Sequence, residues 1–382
     1  MRLGVGQSTM PGPATIAVVY GMTSSLRNDL LAVSPCRLAA SLAVSLSLVV
    51  GLGTSACEVG PPARSSHGSL PRTDSLQLAD SAVPVLGVLV GAGDIARCHS
   101  TADDATGRLL KDIVEIYRRR DVPVLIFTAG DNAYPLGRRA DYSRCYDPSW
   151  GGPLKDITRP SPGNHDFEQR DDPGYFEYFG KAAGDPDQGY YEYEVAGWEI
   201  VSLNSDVLQP GVGSTRAFRE PIAAAQLAWL GRLLKESSEV CSIAYWHHPR
   251  WSSGPHGNNA AVDTLWRLLY STGAEIVING HDHLYERFKP LRPDSTVDDA
   301  DGLVEFVVGT GGGSLARFPG GRNPSISAKQ VEGSYGVLVL ELEARMARYR
   351  FIATSGETLD NGEIECHGRP EHRAADASVP GG

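Results

Sequence analysis

Two short apolar runs in this chain each lead into a glycine and then an aspartate. Val85–Val90 runs into Gly91-Ala92-Gly93-Asp94, and Val122–Phe127 runs into Thr128-Ala129-Gly130-Asp131-Asn132-Ala133-Tyr134. Apolar runs of this length, rich in β-branched residues, suit buried strands. Between them Leu109, Leu110, Ile113, Val114 and Tyr117 recur at helical spacing. Thr101 and Asp104 open that helix in a capping-box-like pattern, and Arg118, Arg119 and Arg120 suit its carboxyl end. Strand, helix, strand with an acid at each strand end is the unit of an open α/β sheet. Such sheets bind ligands beyond the carboxyl ends of their strands. Pro135 stops any regular continuation after Tyr134. Taken alone, Asp131 and Tyr134 equally describe an Asx-turn with a packed tyrosine.

The same pattern returns further along. Ser161-Pro162-Gly163-Asn164-His165-Asp166 is a rigid turn after the long loop Asp141–Arg159. Val240–Trp246 delivers His247-His248-Pro249, and Glu275–Ile278 delivers Gly280-His281-Asp282-His283. A hairpin is expected from Tyr190–Val195 and Trp198–Leu203 around Ala196-Gly197. A helix is expected to begin at Pro221, with Ile222, Trp229, Leu230 and Leu233 on one stripe. Ala261–Tyr270 reads as helical, and Leu303–Val308, Gly336–Leu340 and Ala347–Ile352 as strands. Of the ten histidines, four (His165, His247, His281 and His283) sit at strand or turn ends beside other cation-binding residue types. A lone histidine after a strand is ordinarily a hydrogen-bonded structural residue. A repeated placement is harder to assign to packing, because buried carboxylates and imidazoles need a compensating partner, and a metal supplies one.

Gly93-Asp94, the G-D-N-A-Y of 130–134, the G-N-H-D of 163–166, the H-H-P of 247–249 and the G-H-D-H-L-Y-E-R of 280–287 resemble, in order and spacing, the calcineurin-like metallophosphoesterases. The intervals are 131 − 94 = 37 and 164 − 131 = 33 residues, and the resemblance spans Val85–Cys366. Most members carry a histidine two residues after the first aspartate, where this chain has Ala96. The purple acid phosphatases also lack that histidine and supply a tyrosine in the second motif, as Tyr134 does here, so the resemblance is narrower to them. It implies an α/β fold, a four-layer αββα sandwich of two mixed sheets, with metals at the strand ends. The plant members' extra N-terminal β-domain is not expected, since the first motif lies so close to Val85. Carried over by motif, Asp94, Tyr134 and His283 would hold one metal, Asp131 would bridge, and Asn164, His247 and His281 would hold the second. A hard anionic phenolate suits Fe³⁺ at the Tyr134 site, with Fe²⁺, Zn²⁺ or Mn²⁺ at the other. A nearby cation would lower the phenol's pKa enough for it to bind as an anion.

The implied activity is hydrolysis of phosphomonoesters by metal-activated water. His165 would face the phosphate as hydrogen-bond donor or general acid. Two alternatives stay open: a phosphodiesterase with the same dimetal site, acting for example on a cyclic nucleotide, and a non-catalytic envelope binding protein. His256 is either a second phosphate contact or acid, or a loop histidine. His248 is a structural neighbour of His247 or a participant. Arg287 either orients the histidine loop or makes a surface ion pair. Gly309–Gly313 lacks the Lys-Ser/Thr of a phosphate loop and reads as a tight turn near the metals. The acidic stretch Asp294–Asp301 lacks Ca²⁺-loop spacing and reads as a solvated loop.

Charge and leader bound the setting. With 35 Lys and Arg against 46 Asp and Glu, the formal charge is −11. No basic surplus is present to meet a nucleic acid, while a small phosphorylated substrate is compatible, since bound cations reverse the local field. Leu38–Gly51 is a short apolar run behind Arg27 and Arg37, too short for a comfortable membrane span and suited to a signal peptide. Met22 is an alternative start. Thr54-Ser55-Ala56-Cys57 fits either cleavage after Ala56 or lipoprotein processing with Cys57 lipidated. The expected organisation is a leader over 1–57, a Pro/Ser/Gly-rich disordered tether over 58–84, a metallophosphoesterase domain over 85–367 and a disordered tail over 368–382. The mature protein would then be extracytoplasmic, secreted or lipid-anchored to a bacterial envelope, without a transmembrane domain. Export exposes cysteines to oxidation. Cys98 lies just after Asp94 and Cys145 in the loop after Tyr134, so a site shared by Asp94 and Asp131 makes those loops neighbours. Cys98–Cys145 and Cys241–Cys366 are the expected pairs, with free buried thiols the alternative.

Overall fold

The apolar runs become strands and assemble into two mixed sheets. The computed structural model describes residues 84–167, 172, 174–211, 213–320 and 325–368. The leader, most of the tether and the tail beyond residue 368 lie outside the described residues. One sheet has six strands in the order Thr358–Glu365, Met346–Ala353, Gly336–Leu342, Gly87–Ala92, Val124–Ala129 and Thr158–Ser161. The last three of these run parallel to one another, and the others pair antiparallel. The other sheet has seven strands in the order Ser327–Val331, Tyr285–Phe288, Val304–Val308, Ile276–Asn279, Cys241–Tyr245, Trp198–Ser202 and Tyr191–Val195. Here the four strands from Val304–Val308 through Trp198–Ser202 are parallel. Every motif of the sequence follows one of these parallel strands, so the carboxyl ends of both parallel blocks carry them.

Strand periodicity explains why the sheets stack. Ile243, Tyr245, Ile276 and Ile278 point into one core together with Leu89, Phe127, Leu340 and Phe351 of the six-stranded sheet. The alternate residues Ala244, Trp246 and Val277 point the other way and pack on Leu230, Leu234, Leu265, Trp266 and Leu269 of helices Gly213–Glu236 and Asp263–Ser271. Helix Ala102–Arg118 buries Leu109, Leu110, Ile113, Val114 and Tyr117 against the six-stranded sheet. Helix, sheet, sheet, helix is the expected four-layer arrangement. Burying one large apolar side chain contributes about 1.5–3 kcal/mol, and both faces of both sheets do so. Among the described residues no helix is long and apolar enough to cross a membrane.

Several local readings are corrected. Thr101 makes no capping hydrogen bond; the Ala102 N–H donates instead to Ser100 Oγ at 3.1 Å. Pro221 lies inside the long helix rather than in its first turn, since the helix already begins at Gly213, across residues whose sequence shows no apolar stripe. The stretch 141–159 is largely short helical turns, each too brief to show a repeat. The hairpin turn at Ala196-Gly197 is as expected, with φ of 57° at Ala196 and 77° at Gly197.

What positions the site is a set of cross-links between loops. After their strands, the two first loops zip together, Asp94 N–H to Gly130 O at 3.0 Å and Ile95 N–H to Asp131 O at 2.9 Å. The short parallel pair Ala96–Arg97 with Ala133–Tyr134 continues this, and the Cys98–Cys145 disulfide follows it. Cys241–Cys366 ties the first residue of a central strand to the end of the described chain. Asp166 is buried and joins three loops: its carboxylate accepts from Asn132 N at 3.0 Å, Asn132 Nδ2 at 2.9 Å, Gly163 N at 3.0 Å and Tyr142 Oη at 2.6 Å.

Two outcomes follow from these links. Closing loops of 47 and 125 residues limits the unfolded chain, so paired Cys→Ser replacement at Cys98/Cys145 and at Cys241/Cys366 lowers the unfolding free energy by up to about 4 and about 5 kcal/mol respectively. Denaturant titration with non-reduced peptide mapping measures both. Asp166→Ala strands several buried donors at once and costs about 3–5 kcal/mol on the same titration, whereas an effect under about 1 kcal/mol means Asp166 does not join the loops.

Candidate metal centre

Each motif places its side chain by a sharp turn at a strand end. Asp94, Asp131 and His281 have φ of 58°, 51° and 71°. This left-handed backbone is costly for residues with a Cβ and clusters at functional sites. It swings each side chain back over the sheet edge instead of continuing the strand. Neighbouring glycines leave room: a Cβ on Gly163 would lie 2.2 Å from Asp131 Oδ1, and one on Gly280 would lie 2.5 Å from Asp94 Oδ2. Around His281-Asp282-His283 the chain makes successive tight turns, Asp282 N–H to Gly280 O at 2.9 Å and Leu284 N–H to Asp282 O at 2.7 Å. Both imidazoles thereby face the site, while Asp282 faces the loop 252–256.

The seven expected ligand residues come together in two groups of three about Asp131. In the first, the Tyr134 phenol oxygen is 2.9 Å from Asp94 Oδ1 and 3.0 Å from His283 Nε2, and His283 Nε2 is 3.1 Å from Asp94 Oδ1. In the second, His247 Nε2 is 3.1 Å from both Asn164 Oδ1 and His281 Nδ1. Asp131 Oδ2 touches both groups, 3.1 Å from Tyr134 and 3.3 Å from His247 Nε2. Ligand atoms of Asp94, Asp131 and His247 all lie within 4.8 Å of one another. The imidazoles are oriented from behind. His247 Nδ1–H donates to Ala129 O at 2.9 Å and His283 Nδ1–H to Ser314 O at 2.6 Å, which leaves each Nε2 free to bind a cation. Nitrogen and oxygen atoms of ligand type converging this closely fit a pair of metal ions.

The electrostatics agree with that fit. Burial works against ionisation of Asp94 and Asp131, yet His283 for the first and His247 for the second hold both carboxyls below the usual range. Burial also lowers the two histidines, and Asp131 and Asp94 overcome it, raising His247 to about 10 and His283 to about 9. His281 is pushed down to about 3 by burial and then by His247. Burial, followed by Asp131 and Asp94, pushes the Tyr134 phenol well above its usual range. A cation at this point reverses the sign of the local field, favouring phenolate and neutral imidazoles together.

The surrounding residues separate by role. His165 stands outside both groups: its backbone N–H donates to Asp131 Oδ1 at 2.9 Å, its Nδ1–H to Pro135 O at 2.6 Å, and its Nε2 lies 3.9 Å from Asp131 Oδ2. His256 stacks on His281 with ring centroids 4.1 Å apart. His248 is buried on Ser205, 2.9 Å from Nδ1 to Oγ, a structural contact. Arg287 does not orient the histidine loop; it pairs with Asp360 at 2.8 Å and bridges the two sheets. Gly309–Gly313 is a turn packed on the first motif, with Gly311 N–H on Gly93 O at 2.9 Å and Gly313 N–H on Asp94 O at 2.7 Å. Sequence reasoning missed Asp282, Ser252, Glu286 and Glu305, buried groups that brace the loop carrying His256. An acid inside an otherwise apolar strand, such as Glu305 in Val304–Val308, was the available signal.

Comparison with known proteins places this geometry. A family model described as calcineurin-like phosphoesterase matches residues 90–285, which is about half of the chain. Purple acid phosphatase 15 of Arabidopsis thaliana is 27% identical over 262 residues, covering 59% of this chain and 45% of that protein. A probable purple acid phosphatase 20 of the same plant is 27% identical over 241 residues, covering 55% and 52%. The chain thus spans about half the length of these curated relatives. A purple acid phosphatase structure from yellow lupin (Lupinus luteus) seeds superposes with a TM-score of 0.57 at 16% identity, over 73% of this chain and 53% of that one, so the two share a fold. From the motif order, the paired sheets and the family match, this chain belongs to the calcineurin-like phosphoesterase family, with purple acid phosphatases among its homologues.

Proposed function

We propose that the protein is an exported dimetal phosphatase that hydrolyses phosphomonoesters. The observation that carries this reading is the convergence of Asp94, Tyr134 and His283 on one side of Asp131 and of Asn164, His247 and His281 on the other. When bound, a metal pair supplies Lewis-acid clamping of the phosphoryl oxygens and acidifies the attacking water. The protein supplies the rest. Asp131 holds the two groups in fixed relation, and the backbone carbonyls of Ala129 and Ser314 fix the imidazole tautomers. Tyr134 selects a hard trivalent cation, Fe³⁺, and the nitrogen-rich group takes Fe²⁺, Zn²⁺ or Mn²⁺. His165, tied at Nδ1 to Pro135 O, presents Nε2 beside Asp131 and gives the leaving alkoxide its proton. His256 is a second contact to the phosphate. Two disulfides and the apolar leader support an extracytoplasmic setting, with Cys57 as a lipid-anchor site.

Tyr134→Phe removes the phenolate, so the wild-type protein shows a visible tyrosinate-to-Fe³⁺ charge-transfer band that the variant lacks. A colourless, active wild type containing only divalent metal overturns the iron assignment. Steady-state kinetics test the chemistry. His165→Ala lowers kcat about 10²–10⁴-fold on an alkyl phosphate, whose leaving group needs a proton, and far less on p-nitrophenyl phosphate, whose leaving group does not. A higher kcat/KM for bis(p-nitrophenyl) phosphate than for the monoester transfers the assignment to phosphodiesters, and wild type inert on both esters overturns catalysis altogether.

A further inference from the structure

The carboxylate between the two histidines of the last motif belongs to neither ligand group. Asp282 is fully buried. Its Oδ1 accepts from the His256 backbone N–H at 3.0 Å and lies 2.9 Å from His256 Nδ1, and its Oδ2 accepts from the Ser252 hydroxyl. The loop is shaped for this contact. Gly254 N–H donates to Ser252 Oγ at 2.9 Å, and a Cβ on Gly254 would lie 2.4 Å from the Asp282 carboxyl carbon. Two further buried carboxylates hold the loop from the sheet below. Glu305 accepts from Arg250 N at 2.8 Å and Trp251 N at 3.0 Å. Glu286 accepts from Ser253 N at 2.8 Å and Ser253 Oγ at 2.7 Å. Against this framework the His256 side chain is 54% exposed and lies over the His281 ring.

We propose that Asp282 is a positioning residue: by engaging both the backbone and Nδ1 of His256, it fixes that imidazole over the centre with Nε2 turned toward the substrate. Three buried acids and a serine then serve one exposed ring. A surface histidine left free explores several rotamers, and holding one with Nδ1–H on Asp282 keeps Nε2 over the centre, where in the imidazolium form its N–H donates to a phosphoryl oxygen. The alternative is that Asp282 shapes only the histidine loop, keeping His281 and His283 in place. The two differ in whether the effect of Asp282 passes through His256. The kinetic part of this inference rests on the phosphatase reading, whereas the ring placement does not.

A double-mutant cycle on the metal-loaded protein, with phenyl phosphate as substrate and metal content measured for each variant, separates them. His256→Ala and Asp282→Asn are each expected to lower kcat about 10- to 100-fold with metal content unchanged, and the double variant to be no worse than His256→Ala alone. Additive losses, or loss of metal on Asp282→Asn alone, overturn the proposal. Should Asp282→Asn fail to fold, Ser252→Ala releases one carboxylate oxygen and takes its place in the cycle. Ring ¹⁵N NMR of His256 in the neutral state gives a reading independent of turnover. The wild type should show the Nδ1–H tautomer and Asp282→Asn a mixture, and an Nε2–H tautomer in the wild type sinks the proposal. If the wild type cleaves no phosphoric ester, the functional reading fails and the NMR result still decides the ring placement.

Discussion

Two carboxylates, Asp94 and Asp131, are buried side by side and share the phenol oxygen of Tyr134. Taking such groups out of water costs several kcal/mol per ion unless strong partners compensate. Imidazoles of His247 and His283 provide part of that compensation, and cations would complete it. Much of the architecture around the centre serves to keep this unfavourable group of acids together. The parallel strands bring them to one edge, the left-handed turns aim them inward, and the zipped loops stop them from moving apart.

Side-chain carboxylates recur as builders of the site as well as its reactive groups. Asp166, Asp282, Glu286 and Glu305 each accept backbone N–H groups from a loop that has no strand partner there. Removing such an acceptor leaves buried donors unmade, at about 1–3 kcal/mol for each group. The loops that face substrate are therefore held by a sparse set of side-chain acceptors, where the sheets use a continuous backbone ladder. Burial pushes the Glu305 carboxyl well above its usual range, against the opposing backbone bonds from Arg250 and Trp251. That tension is a cost of placing an acid in a central strand, and the ordered loop is what it supports.

The convergence of the seven expected residues was legible because each follows an apolar run or a proline–glycine turn, and the order of such endings is distinctive. The Cys98–Cys145 pair was legible at second hand: once Asp94 and Asp131 share a site, the segments after them must be close, and Cys241–Cys366 is the pair that remains. Strands without a plain apolar signal were not. Tyr285–Phe288 hides behind the motif that precedes it, and Thr358–Glu365 is an acidic edge strand with mostly part-exposed residues. The bracing of His256 was illegible for a different reason. Asp282 and Ser252 are 30 residues apart, and no local pattern records a contact between the loops that follow two neighbouring strands of one sheet. Arg287 misled in a similar way, since its partner Asp360 comes from the other sheet.

The crowding around Gly163, Gly254 and Gly280 has a consequence for how this protein varies. Any base change that replaces glycine by another residue adds at least a Cβ, and at these positions a Cβ falls on Asp131, Asp282 or Asp94. None of the three glycines offers a ligand atom, yet each tolerates almost no replacement. To random mutation the centre is thus a larger target than its seven converging side chains alone, and a drifting copy of this gene would be expected to lose the arrangement through its glycines about as readily as through its histidines.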